Sequence, residues 1–131
     1  MASSDAELVI ATGGLGPTDD DLTRQAFAKF LNVKLKLQDK LLERIRDFFT
    51  TRNLQMPEKS KIQAYIPTGA RAIPNNLGTA PGIIAETDGK LLIAMPGVPS
   101  EMKQMFQEFV LPELKSFAKK AGQVTAAIAM R

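Results

Sequence analysis

Three carboxylates in a row close a glycine-rich turn. In Glu7-Leu-Val-Ile-Ala-Thr-Gly-Gly-Leu-Gly-Pro-Thr-Asp-Asp-Asp-Leu-Thr23, the apolar run Leu8–Ala11 stops at Gly13, Gly14 and Gly16, and Asp19, Asp20 and Asp21 follow. The N–H groups of such a turn, and the positive end of the helix behind it, attract anions, and glycine lets the backbone come close to the ligand. Carboxylates beside a phosphate would repel it unless a hard divalent cation such as Mg²⁺ sits between them. The chemistry predicted is a metal-assisted site for a nucleotide or another phosphorylated ligand. Thr12, Gly13, Gly14, Gly16 and Thr18 are its expected ligand contacts. Asp19 and Asp21 are the expected metal ligands.

The same residues also serve plainer ends. Gly13-Gly14-Leu15-Gly16 is a tight turn that needs positive φ, whatever else it does. No Gly-Lys-Ser/Thr follows it, so it is not a P-loop, and it lacks the spacing of a dinucleotide fingerprint. Helix capping uses one Asp and the dipole favours another in the first turn, which leaves the third for a metal. Asp21 is expected to face the ligand, with Asp19 or Asp20 capping the helix.

Two further stretches carry polar groups of the right kind. Asn75, Asn76, Gly78 and Thr79 offer amides and a hydroxyl, with Asn76, Gly78 and Thr79 as expected contacts; a purely structural turn is the alternative. Pro96-Gly-Val-Pro-Ser-Glu-Met102 is a second strand-to-helix turn. Gly97, Pro99 and Ser100 are its expected anion contacts, Ser100 its expected cap. Glu101 serves either as a metal ligand or as an acid favoured by the helix dipole.

Apolar spacing supplies the elements that must hold these residues. Leu8–Ala11 reads as a buried strand and Thr23–Leu31 as a helix, with Leu22, Ala26, Phe27, Phe30 and Leu31 on one stripe. Gln38–Asn53 is a helix with Leu41, Leu42, Ile45, Phe48 and Phe49 inward. Pro57–Ala64 reads as a shorter helix opened by its proline, Tyr65–Pro67 as a link, and Arg71–Ile73 as a short strand. Gly82–Glu86 and Leu91–Met95 flank Asp88-Gly89 as a hairpin. Met102, Met105, Phe106, Phe109 and Val110 mark a helix that Pro112 interrupts before Glu113–Lys120. Gln123–Met130 is an apolar, strand-like run with no obvious partner. Strands alternating with helices predict an α/β fold whose two glycine turns lie at the carboxyl ends of strands. If those strands are parallel neighbours, the turns face one pocket.

Composition narrows the chemistry. The 131 residues contain no Cys and no His, so thiolate and imidazole sites are out and a metal must take oxygen ligands. Residues 1–21 hold five acids and no base, so the net charge of +3 leaves +8 for the rest. Those bases alternate with acids on helical patterns, and there is no Trp and one Tyr, which argues against a nucleic-acid surface. No apolar run approaches the roughly 20 residues of a membrane span, and a cytoplasmic protein is expected.

In this order, Thr12-Gly-Gly-Leu-Gly-Pro-Thr-Asp-Asp-Asp-Leu-Thr23, Pro74-Asn-Asn-Leu-Gly-Thr-Ala-Pro-Gly82 and Met95-Pro-Gly-Val-Pro-Ser-Glu-Met102 resemble the molybdopterin-binding-like domain of CinA-type, or competence/damage-inducible, proteins. The resemblance runs from Asp5 to Leu114. Its superfamily includes the molybdenum-cofactor enzymes MogA and MoaB and a domain of eukaryotic FAD synthase. It implies a three-layer α/β/α domain with a mostly parallel sheet. It also implies a metal-dependent pyrophosphatase for ADP-ribose-like dinucleotides, with Asp21, helped by Asp19 or Asp20, binding metal or orienting the attacking water. With no His, the base would be a carboxylate or a hydroxide on the metal.

In the Mog branch a Gly-Gly-Thr-Gly turn and a following Asp bind molybdopterin; here Leu15 replaces the Thr and Asp21 falls at the acidic position. A molybdopterin-binding module is therefore the alternative, and an inactive remnant that only binds or self-associates a third. The C-terminal nicotinamide mononucleotide deamidase domain of many CinA proteins is not among these residues. The family domain opens with a strand, helix and strand ahead of the glycine motif. Residues 1–131 are thus expected to be a single-domain fragment lacking that first β-α-β unit, with 123–131 starting a following subdomain. An apolar face so opened would favour a homo-oligomer.

Overall fold

Alternate residues along the strands face opposite ways, and that alternation builds a core on each side of one sheet. In the computed structural model, which describes residues 5–130, the strands are β1 (Asp5–Thr12), β2 (Leu35–Leu37), β3 (Tyr65–Pro67), β4 (Arg71–Ile73), β5 (Gly82–Thr87), β6 (Lys90–Met95) and β7 (Gln123–Met130). The helices are α1 (Thr23–Leu31), α2 (Asp39–Thr50), α3 (Pro99–Met105) and α4 (Leu111–Lys120). The main sheet has the order β4-β5-β6-β1-β7. β1 runs parallel to both β6 and β7, while β5 is antiparallel to β4 and β6, so four of the five strands point the same way. β2 and β3 form a separate antiparallel ribbon.

Leu8 and Ile10 of β1 and Leu91, Ile93 and Met95 of β6 pack with Met105, Val110 and Phe117 from the α3–α4 side. Their neighbours Val9, Ala11, Leu92 and Ala94 pack with Phe27 of α1 on the other. Helices cover both faces, giving the three-layer α/β/α arrangement. Ile93 is fully buried at its centre; truncation to Ala would cost about 2–5 kcal/mol. A third, smaller core joins Leu42 and Ile45 of α2 to Ala64.

Several elements differ from the sequence reading, each for a physical reason. α1 turns a different face inward: Thr23, Arg24, Phe27 and Ala28 are buried, while Leu22 (49%) and Phe30 (55%) are exposed. Polar residues take the inside because the glycine turn presents carbonyls there. Glu58–Ala64 is a 3₁₀ segment, with Pro57 just before it in an extended conformation. Tyr65–Pro67 is a strand rather than a link, because the Leu35–Leu37 strand pairs with it. Pro112 does not break the helix. The helical backbone continues through a π turn at Phe106–Val110, and Pro112 follows directly on that wider turn. The partner of Gln123–Met130 is β1, from Asp5↔Gln123 to Thr12↔Met130. The Asp88-Gly89 hairpin forms as expected, both residues at positive φ.

Candidate functional site

The two glycine turns leave the sheet side by side. Thr12 at the end of β1 is in register with Met95 at the end of β6, and the Gly13 N–H donates to the Met95 carbonyl at 2.8 Å. Both turns therefore open onto one cleft of about 620 Å³. It is lined by Gly13–Gly16 and Asp21 on one side and by Leu77–Ala80, Pro96–Val98 and Glu101 on the other. Phe48, Phe49 and Gln63 close its helical wall. The carboxyl ends of parallel strands are where open α/β sheets bind ligands.

The first wall is pinned from α1. The Thr23 hydroxyl donates to the Gly13 carbonyl at 2.8 Å and its N–H to the Gly14 carbonyl at 3.0 Å. Gly14 sits at φ +72°, and a Cβ there would collide with the Thr23 hydroxyl. Arg24, 1% exposed, donates from Nη2 to the Leu15 carbonyl at 2.7 Å, and Gln63 Nε2 reaches the same oxygen at 3.4 Å. Burial pushes the Arg24 guanidinium down to about 10, partly opposed by the charge of Asp21, so it stays cationic at neutral pH.

Asp21 folds back onto the turn. Its Oδ2 accepts from the Thr18 hydroxyl at 2.6 Å and the Thr18 N–H at 3.0 Å. A Cβ on Gly16 would lie 2.6 Å from that oxygen, so the glycine makes room for the carboxylate. The Thr18 hydroxyl, against the opposing effect of burial and with help from the N–H groups of Thr18 and Gly16 and the charge of Arg24, holds Asp21 below the usual carboxylate range.

Glu101 is mounted the same way from far away in sequence. Asn75 Nδ2 donates to Glu101 Oε1 at 2.8 Å and to the Ala80 carbonyl at 2.9 Å. Asn75 Oδ1 accepts from the N–H groups of Leu77 and Gly78, both at 3.0 Å. A Cβ on Gly78 would lie 2.5 Å from Glu101 Oε1. Asn75 thus builds the turn and aims the acid at once.

Of the residues picked from the sequence, the cleft gathers Gly13, Gly14, Gly16, Asp21, Gly78, Thr79, Gly97 and Glu101. Thr12 is buried at the end of β1, and Thr18 serves Asp21. Asn76 lines a neighbouring cavity; Pro99 and Ser100 are exposed on α3 outside the cleft lining. Asp19 and Asp20 are exposed and outside the cleft lining, Asp19 sharing with Asp21, Thr18 and Lys59 an adjoining depression. The capping assignments are corrected. Leu22 holds the N-cap position of α1 and Val98 that of α3, with no side-chain cap bond at either, so neither Asp19, Asp20 nor Ser100 caps a helix. The residues that fall at the N-cap positions, Leu22 and Val98, carry no side-chain oxygen to accept from the N–H groups of the first turn.

Among the described residues no group of three or more acidic side chains gathers to hold a metal ion. Asp21 and Glu101 are the two carboxylates that line the cleft, and with no His or Cys in the chain a cation there would have to take oxygen ligands. Sequence reasoning missed Thr23, Arg24, Gln63 and the aromatic pair. Phe48 and Phe49 read as core from their helical spacing. The one available signal was that a glycine turn leaves carbonyls that something must satisfy.

Fold and cleft together define an α/β domain with an open cleft at the carboxyl ends of its parallel strands. The chain belongs to the family described as "Probable molybdopterin binding domain", which matches residues 1–116. It is 52% identical over 118 residues to a CinA-like protein of Dictyoglomus turgidum, covering 90% of this chain and 29% of that protein. It is 48% identical over 119 residues to a protein of Caldicellulosiruptor bescii whose name carries the competence-damage inducible label, covering 91% of this chain and again 29% of the relative. The chain thus spans under a third of the curated relatives it matches. Among solved structures, the protein CinA with unknown function from Thermoplasma acidophilum superposes with a TM-score of 0.69 at 35% identity, over 84% of this chain and 62% of that one. No helix among the described residues is long and apolar enough to cross a membrane.

Proposed function

We propose that the cleft binds a nucleotide pyrophosphate of the ADP-ribose type and that, in the whole protein, it serves hydrolysis of that pyrophosphate with a divalent metal. One observation carries the reading: Asp21, held by Thr18, and Glu101 of α3, held by Asn75, line a single cleft together with the glycine backbone of both strand-end turns. Phosphates would lie along Gly14–Gly16 and Gly97. A divalent cation held by Asp21 and Glu101 would offset the phosphate charge and make a water more acidic. Asp21, held below the usual carboxylate range by Thr18, would be ionised near neutral pH, as holding a cation or orienting the water requires. The net reaction adds water across one P–O bond of the pyrophosphate and leaves two monophosphates.

Calorimetric titration with ADP-ribose, in Mg²⁺ and then in EDTA, tests this. Binding in Mg²⁺ that weakens at least about tenfold in EDTA and in Asp21→Asn supports the reading. The family description favours a second reading, a molybdopterin site. Binding of molybdopterin with none of ADP-ribose would establish that one instead.

A further inference from the structure

Resting on the reading of the main cleft as a phosphate site, we infer that the cleft has a second lobe built for a flat heteroaromatic ring, the part of the ligand beyond its phosphates. A cavity of about 220 Å³ shares Phe48, Gly78 and Thr79 with the main cleft but none of the Gly13–Gly16 turn. Its walls are α2 and the loop from Pro74 to Pro81. Together the two lobes fall within the roughly 300–1,000 Å³ of small-molecule and cofactor sites.

Three features of this lobe point to a ring. Phe48 stands at the junction and, among the described residues, belongs to none of the three hydrophobic cores. Its ring is nonetheless held firmly. The Arg52 guanidinium lies 3.6 Å from its centroid and donates to the Phe48 carbonyl at 2.9 Å. The Phe49 ring meets it edge-on at 5.7 Å and 80°. A large aromatic fixed in place without serving the core is a preformed stacking surface, with little ordering cost left to binding. Next, the charges lining the lobe, Arg44 and Asp47, oppose one another. The lobe therefore suits a neutral group, whereas the main cleft presents two carboxylates. Finally, Asn76, Thr79, Arg44 and Asp47 provide both donors and acceptors around the apolar floor of Leu41 and Ile45. Purine and pterin rings both offer a flat face with hydrogen-bonding edges, and the lobe has the chemistry for either.

Titration of the chain at fixed Mg²⁺ with inorganic pyrophosphate, ADP-ribose and neopterin phosphate separates the possibilities. One ring-bearing ligand should bind at least about tenfold tighter than pyrophosphate, and which one it is identifies the ring. Phe48→Leu should erase that gain, weakening the ring-bearing ligand well beyond any change in pyrophosphate affinity, since Phe48 borders both lobes. Arg44→Ala, at an exposed position of α2, should lower ring-ligand affinity several-fold and spare pyrophosphate; it decides the matter if Phe48→Leu does not melt cooperatively. Pyrophosphate binding as tightly as both ring-bearing ligands, or variants that weaken all three alike, would overturn the second lobe and leave the phosphate site standing. Binding of none of the three would overturn the phosphate site, and the lobe with it.

Discussion

Asp21 and Glu101 reach the same cleft by opposite routes. Each carboxylate lies against a glycine whose missing Cβ gives it space, Gly16 for one and Gly78 for the other. Asp21 is tied to Thr18, three residues back, so its mount forms whenever the local turn forms. Glu101 is tied to Asn75 across 26 residues, so its mount exists only once α3 has docked beside the Asn75 turn. Closing such a span costs chain entropy that one hydrogen bond does not repay, and the packing of α3 on the sheet must supply the rest. The first mount is a property of a short segment, the second a product of the fold. A ligand touching both would hold the two parts of the chain together.

Substitutions can break either mount separately. Among substitutions at the two mounts, the largest effect on stability is expected from Gly14→Ala, which forces a side chain into positive φ and against Thr23. It should cost roughly 2–3 kcal/mol in a denaturant melt, disturbing the Asp21 side alone. Asn75→Ala removes the tie to Glu101 and the turn bonds to Leu77 and Gly78. Its expected cost is about 1–2 kcal/mol, with Mg²⁺-dependent ligand affinity falling in parallel. Gly16→Ala and Gly78→Ala sharpen the comparison, because the obstacle in each case is the end of a flexible carboxylate. Stability should change by under about 1 kcal/mol, while ligand affinity in Mg²⁺ drops about tenfold for both, as calorimetry would read.

The smallest effect is on pH dependence. Asp21 is held below its ordinary value of 3.8, so the native state favours its ionised form. Its contribution is present above that ordinary value and lost as pH falls through the lower folded value. Thr18→Val should make stability fall less steeply with acid over that range, measured by melts from pH 5 to about 2. Asn75→Ala should leave that acid slope as it is.

What was legible in the sequence follows the same division. Leu8–Ala11, the Asp88-Gly89 hairpin and the amphipathic run of α2 declare themselves through local period and turn chemistry, and they appear in the structure. The closeness of the two glycine turns needed only parallel neighbours, and the Thr12↔Met95 register supplies them. Tertiary bonds overrode local rules elsewhere. Apolar counting put Leu22 and Phe30 inside, but the carbonyls of Gly13 and Leu15 draw Thr23 and Arg24 there instead. Cap rules assigned acids and Ser100 to helix starts, but the turns place Leu22 and Val98 at the N-cap positions. No local pattern shows that Asn75 aims Glu101, nor that Phe48 lies outside the core.

The central claim is that two carboxylates on independent mounts act on one bound ligand. A double-mutant cycle with Asp21→Asn and Glu101→Gln, read as ADP-ribose affinity in Mg²⁺, tests it most directly. Shared use of one ligand and cation predicts that each single variant loses at least about tenfold and that the double variant loses clearly less than the product of the two. Losses that simply multiply, or a Glu101→Gln variant that binds like the unaltered chain, would contradict it.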